Sequence, residues 1–278
     1  METTKKTILV PWDFSEGAEN AILHAKQLAN AADNDIMLLH IIPRSFFYKY
    51  FGNKNSNKEI ETARHKLEEA AIDIEKKHGF RPQTLVIEGR VNHVLKEMVA
   101  DANVNLVVAN RLYNYDKKPI ESSIFLKNLY SQKFAVPFII TKAAPLHSHY
   151  IEIVVPLDHD KKYKEILHWI IYLSKYYKCN INLIKPFISD EGKKKDMANN
   201  IYFTKKMLDG SKIIYGIKTA KKKNSFKDEV FKFAENIDAD LILIMADKYN
   251  NYVSENKDGT SVPIMCINPR ARKYQSFY

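Results

Sequence analysis

Residues 8–42 read "ILVPWDFSEGAENAILHAKQLANAADNDIMLLHII". A β-branched apolar run stops at Pro11. Asp13 and Ser15 follow, and then Ala18, Ala21, Ile22, Ala25, Leu28 and Ala29 recur at helical spacing on one face. A second apolar run fills 35–42. A strand therefore meets a helix across a very short loop, and open α/β sheets keep their ligands at such a strand's carboxyl end. Asp13 stands in that loop. Its side chain either contacts a ligand or bonds the loop amides and the helix start.

The same pattern returns downstream. Residues 153–187, "IVVPLDHDKKYKEILHWIIYLSKYYKCNINLIKPF", align with 8–42 without a gap at an offset of 145. Ile8, Val10, Pro11, Asp13, Leu28, Ile36 and Leu38 fall on Ile153, Val155, Pro156, Asp158, Leu173, Ile181 and Leu183. "VNLVVAN" (104–110) matches "ADLILIM" (239–245), and "VPFII" (136–140) matches "VPIMCI" (262–267). A period this long means duplicated domains rather than a solenoid. The expected division is a first copy at 1–143, a second at 150–278 and a joining segment at 144–149.

Within the first copy, strands are expected at 7–12, 35–42, 83–87, 104–109 and 136–141. Helices are expected at 16–31, 58–78, 91–101 and near 121–133. The second copy places strands near 151–156, 180–185, 212–217, 239–245 and 263–267. Near-continuous apolar strands alternating with helices imply parallel sheets covered on both faces. The expected fold class is α/β: two doubly wound, Rossmann-like domains of five strands each in tandem, with a pseudo-two-fold pairing expected from their short apolar last strands. From the fourth strand to "VP" the offset falls from 135 to 126, so the second copy is nine residues shorter there and its last helix is expected to be lost or cut to a turn.

Bulk properties narrow the function. The 278 residues are 45% apolar and 27% charged, a globular balance. The first thirteen residues lack the apolar stretch of a signal peptide, and no segment approaches a membrane span. Cys179 and Cys266 lie in apolar strand-like segments and read as buried free thiols in a reducing compartment, so a cytoplasmic location is expected. No Cys/His cluster has metal-ligand spacing. The net charge of +10 is concentrated in the second half, partly in "GKKKD" (192–196) and "AKKKN" (220–224). Without interleaved aromatics these runs read as solvated loops, and nucleic acid as an unfavoured partner.

The ordered segments "ILVPWDFSEGAENAILHAKQLA", "IMLLHII", "EGRVNHVLKEMVADANVNLVVAN" and "VPFIIT" resemble the universal stress protein family. The resemblance covers nearly all of the first half and, more weakly, the second. It implies pairing of two domains through their last strands, here through Phe138, Ile139 and Ile140 with Ile264, Met265 and Cys266. It also implies a pocket at the strand ends, with Asp13, Ile41, Ala109, Ser122 and Ser123 in the first half and Asp158, Ala246, Gly259 and Thr260 in the second. Family members that bind ATP resemble one another in a Gly-x2-Gly-x9-Gly-Ser/Thr loop after the fourth strand. Counted from Ala109, those positions here are Ala109, Leu112, Ser122 and Ser123; in the second half they are Ala246, Tyr249, Gly259 and Thr260. Glycines let backbone amides approach phosphate, and no other glycine-rich loop replaces them. The stretch is closer to the branch of the family that does not bind ATP. The expectation is a stress-response binding or regulatory module, not an enzyme, with no cofactor. The alternatives are an ATP- or AMP-binding protein with slow hydrolysis and a nucleic-acid-associated protein using the basic second half.

Other residues have plain readings. His40 has no nucleophile or carboxylate partner of suitable spacing, so a structural histidine is expected. Ser122 and Ser123 are expected as helix N-caps that need no ligand, with anion binding at a helix N-terminus as the alternative. Phe46, Phe47, Tyr48, Tyr50 and Phe51 crowd one connection, either as a lid or contact for another chain or folded onto the next helix. A further homo-oligomer is compatible with these features.

Overall fold

The computed structural model describes residues 5–43, 54–101, 103–111, 114–115, 118–119, 136–249, 251–252 and 260–268. The chain divides into two compact units, Met1–Ala144 and Pro145–Tyr278.

In the first unit, β1 (Thr7–Pro11) is wholly buried and leads through Ser15 into α1 (Glu16–Ala32). The Ser15 side chain accepts from the Ala18 N–H, and Glu16 and Glu19 complement the positive end of the helix. Asp33 in the left-handed conformation closes the other end, its N–H bonding the Ala29 carbonyl. All six expected core positions of α1 are buried. Then come β2 (Asp35–Pro43), α2 (Lys54–His78), β3 (Gln83–Gly89), α3 (Val91–Asp101), β4 (Val104–Asn110) and β5 (Phe138–Thr141). A two-residue antiparallel ladder joins Asn114–Tyr115 to Lys118–Pro119. The helix expected near 121–133 lies outside the described residues. The five strands run parallel in the order β5-β4-β1-β2-β3.

The second unit repeats the plan. β6 (Glu152–Pro156) is followed by a 3-10 turn at Lys161–Glu165 and α4 (Ile166–Tyr177). β7 (Asn180–Lys185), α5 (Glu191–Gly210), β8 (Tyr215–Thr219), α6 (Phe226–Asn236), β9 (Leu241–Met245) and β10 (Ile264–Ile267) complete it. Its parallel order, β10-β9-β6-β7-β8, matches that of the first unit.

Two expectations change. The strand expected at 212–217 begins at Tyr215 instead, because the preceding residues finish α5. The Ile213 N–H bonds the Leu208 carbonyl at 3.0 Å, and Lys212 adopts a left-handed φ of 55°. The lysine run at 192–196 is helical rather than a loop. Asp190 caps it, and Lys194 pairs with Glu191 at 2.6 Å. After β9 a 3-10 turn spans Ala246–Lys248, while 253–259 lie outside the described residues. Both cysteines are free and buried. Burial pushes the Cys179 thiol up to about 11 and Cys266 well above its ordinary value.

Candidate functional site

In each unit the chain leaves its first strand toward one side and returns to the other. The order therefore reverses between β1 and β4, and between β6 and β9, and a crevice at the strands' carboxyl ends is the expected ligand position. Among the described residues, side chains of the chain itself meet at these two places.

At the end of β1, Asp13 Oδ1 accepts from the Ser15 N–H at 3.1 Å and from the Ser15 hydroxyl at 2.5 Å. Asp13 thus orders the residue that caps α1, a turn-forming role aspartate takes readily. Between them, Phe14 has a φ of 61°, a conformation disfavoured for a bulky side chain. Its ring lies 4.8 Å from that of His40. His40 Nδ1 in turn meets the Trp12 carbonyl at 2.8 Å, the structural use expected of that histidine.

Asn110 ends β4 with its side chain buried. Gly17, in the first turn of α1, faces it so closely that a Cβ there would overlap Asn110 Nδ2. The glycine is needed for this approach rather than for an unusual φ. Ile41 and Ala109 are both buried in their strands. Leu112, Ser122 and Ser123 lie outside the described residues, as does the aromatic segment 46–51. A cleft of about 230 Å³ does open nearby, between the start of α1 and the last turns of α2. Trp12, Phe14, Glu16, Glu19, Asp73 and Lys77 are among its walls, and Ile41 and Ala109 are not.

In the second unit, Asp158 Oδ1 accepts from the Asp160 N–H at 3.0 Å, and Oδ2 pairs with Lys248 Nζ at 3.0 Å. His159 Nδ1 lies 3.2 Å from Oδ1. Partial burial pushes the Asp158 carboxyl up, but the Asp160 amide and the Lys248 ammonium outweigh it and hold it below its usual value. Burial lowers the Lys248 ammonium and Asp158 outweighs this, so its pKa is raised. Tyr163, Tyr249, Tyr252 and Ala246 are buried in the same unit, and burial drives the phenols of Tyr163 and Tyr252 upward. Thr260 Oγ1 accepts from the Val262 N–H at 3.2 Å and so holds the turn into β10. Gly259 lies outside the described residues.

Sequence reasoning passed over Gly17, Asn110 and Lys248. Each left a trace: a glycine inside a helical pattern, an amide at a buried strand end, and a lysine three residues after an apolar strand.

The sequence profile of the universal stress protein family matches residues 5–111. Residues 5–111 are thus similar to the universal stress protein family. A universal stress protein of Methanocaldococcus jannaschii is 27% identical over 126 residues, 39% of this chain and 77% of that protein. A universal stress protein from Archaeoglobus fulgidus of known crystal structure superposes with a TM-score of 0.67 at 15% identity, covering 94% of this chain and 95% of that one. A putative universal stress protein from Pseudomonas aeruginosa gives 0.55 at 13% identity, covering 95% and 93%. At those identities the two structures show a shared fold, and they share it across both units. Among the described residues, no helix is long and apolar enough to cross a membrane.

Proposed function

We propose that the chain acts as a non-catalytic binding and regulatory module whose strand-end pockets hold no nucleotide. The family match supports a stress-related role. The Asp158–Lys248 pair carries the finer reading. In a nucleotide-binding relative the resemblance gives this aspartate to adenine, whereas here a lysine from the β9 loop engages it at 3.0 Å. Asn110 packed on Gly17 supports the same reading in the first unit. Neither constellation includes a nucleophile with a positioned base.

The reading includes pairing of the two halves through their last strands. β5 and β10 are both short and apolar, and such strands at a sheet edge seek a partner. A cytoplasmic location fits the two reduced cysteines.

Calorimetry on the full chain with magnesium-ATP and with AMP is the test. No heat of binding is expected at micromolar concentrations. Saturable micromolar binding of either nucleotide would overturn the reading in favour of a nucleotide-binding protein.

A further inference from the structure

We infer that the outer edge of β8 in the second unit binds an extended acidic peptide segment of a partner protein, which adds to the sheet as a further strand. This goes beyond the nucleotide reading and stands whether or not that reading does.

The backbone sets the argument. The Ile214 carbonyl accepts from the Ile181 N–H at 3.2 Å, and the Ala220 N–H donates to the Lys185 carbonyl at 2.9 Å. Strand residues alternate the side to which both backbone groups point. Ile214, Gly216, Lys218 and Ala220 thus face β7. Tyr215, Ile217 and Thr219 turn their N–H and C=O groups to the outer edge, where β8 ends the sheet. Three donors and three acceptors in register form a template for another strand.

Among the described residues, the outer edges of β3 and β8 are not alike. In the first unit α2 packs against β3, and only Gln83 of that strand is exposed. In the second unit the main contacts of α5 go to α4 and the 3-10 turn at Lys161–Glu165. Four of the five β8 residues are consequently exposed. Ile214, just before the strand, is 76% exposed, and Ile217 within it 36%. Leaving such groups in water without purpose is unfavourable.

Charge selects the partner. Residues 211–223 hold Lys212, Lys218, Lys221, Lys222 and Lys223 and no acid. Two carboxylates beside this stretch, Asp209 and Glu229, are already engaged. Asp209 accepts from the Tyr215 hydroxyl at 2.9 Å, and Glu229 accepts from the Lys221 N–H and the Asn224 amide. Because side chains alternate along a strand, Ile217 and Lys218 point to opposite faces. The fitting segment therefore alternates acidic and apolar residues over about five positions.

The probe is a fluorescein-labelled peptide of alternating glutamate and valine, seven residues long, titrated into the full chain and read by anisotropy. Saturable binding is expected. N-methylation of alternate peptide amides should weaken it at least tenfold, since it removes backbone donors and leaves charge untouched. The double substitution K218E/K222E, confined to exposed side chains, should weaken it at least fivefold. A lysine-valine peptide should not bind. No binding up to millimolar peptide would overturn the inference, and so would equal binding of the N-methylated peptide, which would mark mere charge attraction. Displacement of the peptide by a twelve-residue oligothymidine at lower concentration would assign the edge to nucleic acid instead. A wild-type dimer by light scattering that Ile217→Lys dissociates would assign it to a second copy.

Discussion

Asp158 and Lys248 make the second unit sensitive to pH at both extremes. The folded carboxyl lies below its unfolded value of about 3.9, so its contribution is full above that pH and disappears as pH falls through the folded value. The folded ammonium lies above its unfolded value of about 10.4, so its contribution is full below that pH and disappears as pH rises through the folded value. Asp158→Asn should flatten the stability loss below about pH 4 and the loss above about pH 10 alike, read by urea unfolding across pH. Gly17→Ala should cost about 1–3 kcal/mol, because the new methyl and the Asn110 amide cannot share one space. Combining it with Asn110→Ala should restore most of that loss, a coupling that a double-mutant cycle reports. Neither pairing is visible in a one-dimensional reading. Gly17 looks like a poor helix residue until Asn110, 93 positions later by subtraction, is placed against it.

At the scale of elements, Asp240 fastens the start of β6 to the start of β9. Its buried Oδ2 accepts from the Ile151 and Glu152 N–H groups at 2.7 and 3.0 Å, its own N–H donates to the Glu152 carbonyl, and Oδ1 meets His147 Nδ1 at 2.8 Å. Asp240→Ala should lower unfolding free energy by about 2–4 kcal/mol, since two amides lose a charged acceptor. Asp240→Asn, which keeps one carbonyl oxygen, should cost less. The strands around this clamp were legible from their apolar runs, and α1 from the spacing of its alanines. The start of β8 was not. Ile213 and Ile214 continue the apolar run of the strand, but the Ile213 amide is committed to the end of α5. Nor was the lysine run at 192–196 legible as helix, because the deciding signal is the Asp190 cap rather than the lysines.

For the whole molecule, the duplication was legible because an unbroken offset of 145 maps strand on strand and helix on helix. The contents of the two strand-end crevices were not, since they depend on side chains brought together from opposite ends of each unit. If β5 and β10 satisfy one another within the chain, the 278-residue chain should scatter as a 32.3 kDa monomer in dilute solution. A polypeptide of residues 1–144 alone should then dimerise through the edge of β5 left open. A monomeric first half at high micromolar concentration would remove the support for that pairing.

Lys248 also changes what a ligand for the second unit would have to overcome. Tethered to the same fold as Asp158, it is a permanent competitor at high effective concentration, and dilution never removes it. A cation or hydrogen-bond donor arriving from solution must displace it and leave a partly buried ammonium to find another partner. Directed evolution toward small-molecule binding in this unit should therefore begin at position 248. Removing the tethered amine there frees the aspartate before any new contact has to be made.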